Sequence, residues 1–416
     1  MKASRLLRTL LWHAAAVCAV FAQAPTAERI RALTAEVARI TGFAVRRPVP
    51  IETLTRAEWK RYVEREIGRE VKEEELRADQ TTLQLFGLLP RDFDLRQATI
   101  DLLAEQAAAV YDHRRKKMLL LEDGPGGAMD EAILVHELAH ALADQHFDMR
   151  RFLDKGVRTG EQQAARLAVA EGQAMWVMLE WQLGRMGLGS VAKNREALER
   201  MMPALGQMAA ASYPVFATSP LYLQETLLFP YTAGVLFQQA AVEKLGPRAF
   251  RQVFEKPPET THQVLHPETW LEGGRWEAPP APVPPEEESY RRVSSGILGE
   301  FDIRVLIRQY CGAEAAERLG GQWRGGSYEL LEHRQTRRPA LRWALGFVNR
   351  EAALEFARCY RAVIEGKSRE LEWGMTAADR LEGRNADGEF RIEVRGSAVD
   401  GLEALQPRLA AARPVL

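Results

Sequence analysis

The sequence predicts an α+β protein in which helices predominate. Three observations carry this. Between residues 26 and 276 most apolar residues recur at the three- and four-residue spacing of amphipathic helices. Two short apolar runs, 109–112 and 117–121, flank a polar turn and read as a hairpin. Beyond a proline-rich acidic stretch at 277–289, helical and strand-like segments alternate to the end.

Taken in order, the first residues read as an export signal. Lys2, Arg5 and Arg8 form a positive start, residues 10–21 are mostly apolar, and Ala22-Gln23-Ala24 is an A-x-A cleavage site. No later segment reaches the roughly 18 uninterrupted apolar residues of a spanning helix, so the mature chain is expected to carry no membrane span. Ile30, Leu33, Val37 and Ile40 mark a helix over 26–44. The two prolines at 48 and 50 keep 46–51 extended, because proline excludes helix from the residue before it. Thr55 and Glu58 form a capping box for a helix to about residue 76. Leu83 to Leu89 is an apolar cluster closed by Pro90, and a further helix runs from 95 or 99 to 108.

The hairpin turn, His113-Arg114-Arg115-Lys116, reads as a solvated tip. Glycines at 124–127 break the chain before a helix from 129 to 147. That order suits an exposed strand beside the helix, open to pairing with a peptide. Thr159 and Gln162 open a long helix to 186 with Glu171-Gly172 in its middle. Residues 194–202 look helical, and 188–220 is otherwise indistinct. Residues 221–245 are helical, with Pro230 expected to kink or restart the helix and Gly246 to stop it. Pro247 opens a short helix to 255, and 257–267 is loop-like with one helical turn at most. Farther on, 297–310, 313–319, 350–364 and 401–412 read as helices. Residues 327–333 and 340–348 read as a strand pair, and 380–384 and 389–394 as strands about an Asp387-Gly388 turn.

The chain has 416 residues, 46% of them hydrophobic, enough to bury a sizeable core. The formal charge of −1 offers no basic surplus for nucleic acid or an anionic membrane. The expected organisation is a signal peptide at 1–24, a first domain at 25–276 with its core at 80–270, a linker at 277–289 and a smaller α+β region at 290–416. After removal of the signal, Cys311 and Cys359 remain. They either pair in an oxidising compartment or stand apart as buried thiols.

The chemistry concentrates in His136-Glu137-Leu138-Ala139-His140. On a helix, residues four apart share a face, so two imidazoles can hold one zinc ion. Glu137 then stands where it can take a proton from a zinc-activated water. Apolar neighbours such as Ile133, Leu134, Val135 and Leu142 describe a buried helix. Two residues compete as third ligand. His146 has the spacing of the metzincin pattern. However, Ala143 occupies the place of that pattern's helix-breaking glycine, and on an unbroken helix His146 falls about 80° around from His136. Glu171 is a carboxylate within an apolar helical run, where metal coordination would offset its burial, and Gly172 permits close approach of another helix.

On these residues the chain resembles the gluzincin metallopeptidases, the thermolysin-like class. More narrowly it is similar to a group of exported bacterial proteins. Their shared pattern appears here as His136 to Asp148, Glu171 to Ala174, Tyr231 to Gly234, and Leu265-His266-Pro267. The likeness covers roughly residues 80–270. The group's usual G-F-Y-D before the metal helix is here Ala109-Val110-Tyr111-Asp112. The resemblance implies a zincin-like catalytic domain with a short active-site hairpin. It implies one Zn2+ per chain on His136, His140 and Glu171, a peptide or protein substrate, and hydrolysis with Glu137 as general base. It also implies an oxyanion donor from a downstream segment, for which Tyr231 and His266 are the candidates. Asp144 either orients a ligand imidazole or is solvated on the helix surface. The competing reading is a secreted binding or assembly module whose zinc is structural or catalytically silent.

Overall fold

The computed structural model describes residues 25–70, 72–106, 109–122, 128–274, 282 and 289–406. The segment 1–24 expected to be a signal peptide, the glycine break at 124–127 and most of the stretch at 277–289 lie outside the described residues. The fold is α+β and predominantly helical. It forms two compact units, one from residues up to 76 together with 94–276, the other from 77–93 together with 277–416. The sequence reading assigns 77–93 to the first domain. In the fold, the Gly87 carbonyl instead accepts from Tyr310 and Gln309 (2.7 and 2.8 Å), and Phe86 meets Tyr328 edge-on.

The first unit surrounds a three-stranded sheet of order β1-β3-β2, with β1 at Ile51–Leu54, β2 at Ala109–Asp112 and β3 at Lys117–Leu121. β1 runs parallel to β3 with Ile51 opposite Met118, and β2 antiparallel with Ala109 opposite Leu120. β2 is therefore an edge strand. All four of its residues are buried, however, so it is not the exposed strand that the sequence suggests.

Four of the surrounding helices begin where their local signals place them, to within a residue. Ala27–Thr41 starts where Thr26 accepts from the Arg29 amide and stops at Gly42, whose φ of 72° suits glycine. Arg56–Glu70 carries the Thr55–Glu58 capping box but ends earlier than expected, and Glu73–Phe86 is a separate helix. The metal helix spans Ala128–Phe147. The glutamate helix spans Gly160–Met186, capped by Thr159.

The tyrosine helix, Leu221–Leu245, runs through Pro230 without interruption. The bond lost at proline is outweighed by packing along the glutamate helix, against which more of this helix lies than against any other element. Arg195–Ser212 extends beyond its predicted end, and 257–267 yields a short helix, Thr261–Leu265, followed directly by Pro267–Leu271.

The second unit is a seven-stranded antiparallel sheet of order β4-β5-β6-β10-β9-β8-β7. Its strands are β4 Tyr290–Ile297, β5 Trp323–His333, β6 Pro339–Phe347, β7 Glu372–Ala377, β8 Arg380–Asn385, β9 Gly388–Arg395 and β10 Ala398–Leu405. The helix Arg350–Lys367 covers one face, with Trp343 against Tyr360 and Phe347 against Phe356. β4 and β7 are absent from the sequence reading. The helix expected at 401–412 is, as far as described, strand β10. Its residues alternate: Glu403 reaches Trp343 Nε1 (2.9 Å) and Lys367 (2.6 Å) on the helix side, while neighbouring Leu402 pairs with Arg342 and Arg391 in the register. Gly401 faces the Trp343 ring so closely that a Cβ on it would stand 2.0 Å from Trp343 Cε2. Among the described residues, no helix is long and apolar enough to cross a membrane.

Cys311 and Cys359 form a disulfide that ties Glu300–Cys311 to Arg350–Lys367, which settles the choice between pairing and separate thiols. The bond closes a 48-residue separation. In the chain-entropy description such a loop is worth about 4 kcal/mol. The double variant Cys311→Ser, Cys359→Ser should therefore melt earlier in urea by about that amount, and peptide mapping of the unreduced protein should recover the two cysteines linked.

Candidate metal centre

His136 and His140 lie one helical turn apart on the metal helix and direct their Nε2 atoms to one point. Glu171 reaches the same point from the glutamate helix. Glu171 Oε2 lies 3.1 Å from His136 Nε2 and 3.3 Å from His140 Nε2, and the two Nε2 atoms are 3.1 Å apart. His136 and Glu171 are each 5% exposed. Two imidazoles and a carboxylate converging in a buried site can hold a metal ion.

The titration behaviour follows from burial. Desolvation pushes the His136 imidazole down. Burial also works against charge on Glu171, but the facing imidazoles outweigh it and hold the carboxyl at about 2. Burial would lower His140, yet Glu171 prevails and raises it to about 8. At Glu137 burial prevails over the lowering pull of His140 and of the Tyr111 amide, and pushes the carboxyl up to about 8. The cluster therefore gathers one positive charge opposite Glu171, a place that a divalent cation fills more directly than a proton.

Glu137 is held from the sheet. The main-chain N–H of Tyr111 on β2 donates to Glu137 Oε2 at 2.6 Å. The other oxygen, Oε1, is buried without a hydrogen-bond partner. Asp144 secures this arrangement, and it contacts no ligand imidazole. Its carboxylate accepts from the Tyr111 hydroxyl (2.8 Å), from Lys116 Nζ (2.7 Å) and from the Met149 amide (2.9 Å). Asp144 thus fastens the hairpin to the metal helix, and neither reading of it from sequence holds.

The hairpin tip is solvated only in part: Arg115 is exposed, whereas His113 is buried. Asp112 Oδ1 accepts from the amides of Arg114 and Arg115, and Arg114 bonds Asp154 at 3.1 Å. His113 is 9% exposed and lines a cavity of about 30 Å3 together with Glu137, His140 and Glu171. Sequence reasoning missed His113 because a run of four polar residues between strands looks like solvent-facing turn. The visible signal was its position two residues beyond Tyr111.

The glutamate and tyrosine helices cross with their backbones in contact. A Cβ on Gly172 would lie 2.1 Å from the Gly234 carbonyl, and one on Gly234 2.2 Å from the Ala168 carbonyl. Glu171 precedes Gly172, and Tyr231 lies one turn before Gly234, so the crossing brings both side chains to the metal point. The Tyr231 ring is 6.1 Å from that of His136. Its hydroxyl is buried and makes no hydrogen bond of ordinary geometry. Burial, then the charges of Glu171 and Glu137, raise its pKa well above the usual phenol value.

His266 sits elsewhere: its ring lies tilted against His262 with centroids 4.5 Å apart, its Nδ1 is 3.7 Å from Glu268, and it does not line the cavity. His146 donates to the Ala44 carbonyl (2.9 Å) and stacks on Phe43, outside the ligand triangle.

Comparison with protein-family models, curated proteins and solved structures finds no match for this chain.

The crossing yields a direct test. Gly172→Ala forces backbone apart from backbone and should cost about 1–3 kcal/mol or more in denaturant unfolding, with weakened metal uptake. Gly184→Ala on the same helix meets nothing within 4 Å and should be neutral or stabilising by up to about 1 kcal/mol.

Proposed function

We propose that the chain is an exported zinc-dependent peptidase of the gluzincin type, hydrolysing a peptide bond with Glu137 as general base. The observation that carries this reading is the buried His136–His140–Glu171 triangle with an unpartnered oxygen of Glu137 beside it. The donor set suits zinc. Ligands about 2.0–2.2 Å from a tetrahedral ion stand roughly 3.3–3.6 Å apart, close to the edges of 3.1, 3.1 and 3.3 Å. Three protein ligands leave a fourth position for water or substrate, as in catalytic zinc sites.

When bound, zinc supplies a Lewis acid that makes a water nucleophilic at neutral pH and polarises the substrate carbonyl. Glu137 Oε1 takes the proton from the attacking water while the Tyr111 N–H holds Oε2 in place. The same carboxyl then delivers the proton to the leaving amine. The Tyr231 hydroxyl, buried beside Glu171 and Glu137, is a donor for the developing oxyanion. Export is supported by the signal-like N-terminus and by the Cys311–Cys359 disulfide.

One observation favours the alternative, a secreted binding module with a structural or silent zinc. The cavity beside the triangle has room for only one or two waters. A purely structural zinc has no use for Glu137, so that residue separates the two readings. The purified mature chain should hold about one zinc. His146→Ala should keep it and Glu171→Ala should lose it. Glu137→Gln should keep the metal and lose peptidase activity on a peptide library by about 10²–10⁴-fold. A wild-type chain that takes up no zinc from zinc-containing buffer would sink the proposal, as would a Glu137→Gln variant as active as wild type.

A further inference from the structure

We propose that the turn at 148–156 is a gate over the metal centre, admitting a peptide only when it moves outward. The inference rests on the peptidase reading and adds to it the control of access. The cavity of about 30 Å3 takes one or two waters. Pockets for organic ligands run to about 300–1,000 Å3, so a substrate carbonyl reaches the metal point only if a wall moves.

Among the described residues four elements line the cavity: the hairpin, the metal helix, the glutamate helix and the turn, the last through Met149 and Leu153. The two helices carry the triangle, and the glutamate helix is locked to the tyrosine helix at Gly172 and Gly234. The hairpin holds Glu137 through the Tyr111 amide. Displacing any of these three dismantles the site. The turn carries no member of the triangle and bonds no oxygen of Glu137, so it is the wall that can move while the site stays assembled.

Its build suits a hinged segment. Asp148 at its start has a φ of 49°, in the left-handed region that a residue other than glycine seldom adopts. Arg151–Lys155 then makes a single π-helical turn, closed by the Gly156 N–H on the Arg151 carbonyl (2.8 Å), a rare geometry that recurs at functional sites. Asp154 pairs with Arg114 of the hairpin at 3.1 Å and so joins two walls of the cavity, with both side chains a fifth to a quarter exposed. Arg166 of the glutamate helix donates to the Phe152 carbonyl (2.8 Å), and the Met149 amide to Asp144 (2.9 Å). Such polar ties exchange with water at small net cost. Met149 and Leu153 are 3% and 2% exposed, and Phe152 meets Phe254 edge-on at 5.1 Å. That apolar burial makes the shut state the resting one.

The test uses the full mature chain loaded with zinc. Wild type is compared with Asp154→Asn, which removes the charge of the latch, and Leu153→Ala, which trims the turn inside the cavity. Lys155→Ala, at an exposed position of the same turn, is the control. Two probes are used: a phosphonate tripeptide, followed by stopped flow, and azide, a three-atom anion, followed by calorimetry. Phosphonate should associate with wild type at a rate that levels off with concentration, because opening precedes binding. Asp154→Asn should raise that rate about 1.5- to 5-fold, the worth of a partly exposed ion pair. Leu153→Ala should raise it at least as much, and Lys155→Ala should leave it unchanged. Azide affinity and zinc per chain should be the same in all four chains.

Equal phosphonate rates in wild type and Asp154→Asn overturn the proposal, and that variant decides the matter should Leu153→Ala fail to fold. An equal gain for azide overturns it, since the metal centre itself has then loosened. Loss of zinc from Asp154→Asn overturns it too, by making the turn a support of the metal, as does a zinc-loaded set of chains that binds no phosphonate. A wild-type chain without zinc overturns both this proposal and the peptidase reading. A zinc-loaded wild type with the expected phosphonate differences but no cleavage of any peptide leaves the gate supported and the peptidase reading refuted.

Discussion

The contact between Gly172 and Gly234 is the constraint on which the site depends. Two long helices meet there with no side chain between them. Glu171 and Tyr231 are carried to the crossing by their places one residue and one turn before these glycines. Any spacer at either position would move the carboxylate away from the histidines by an amount comparable to a bond length. A metal held by this triangle would tolerate errors of only about 0.2 Å in its ligand distances, which sets the precision that the helix crossing would have to meet. In this chain each of the two side chains thus stands close to a glycine at the crossing, Glu171 to Gly172 and Tyr231 to Gly234.

Around that crossing, the site is assembled by charge as well as by packing. The triangle places a carboxylate among buried imidazoles, an arrangement that is expensive unless a positive charge stands with it. The neighbouring Glu137 is handled differently. One oxygen is bound to a main-chain amide and the other has no partner, so the group is positioned while one oxygen stays open. A buried polar atom without a partner carries a desolvation penalty of about 1–3 kcal/mol, and such atoms in native proteins ask for an explanation. Proton transfer in a reaction is one.

Much of this was legible in the sequence where a local rule governs. The caps at Thr26, Thr55 and Thr159, the hairpin at 109–121 and the two histidines on one helix face all follow from short-range chemistry. Glu171 could be singled out because a carboxylate in an apolar run needs a reason. What escaped is decided by distant partners. β10 looked helical because its strand character lies in contacts with Trp343 and Tyr360, some forty to sixty residues away. His113 and Asp144 looked like solvent-facing polar residues. Each is buried by elements that meet only in the folded chain: the hairpin, the metal helix and the turn at 148–155. Residues 77–93 lie with a unit whose other residues begin almost two hundred positions later, a pairing that no periodicity announces.

The hold on Glu137 has a consequence for how the sequence can drift. Because the donor is the amide of residue 111 rather than a side chain, almost any amino acid at that position leaves it intact, and proline alone deletes it. The strand before the His136–His140 helix can therefore vary in composition while the Glu137 carboxylate stays where it is. Ala109 and Val110 could be exchanged for other strand-forming residues on the same terms: the letters would change, and the amide that matters would stay.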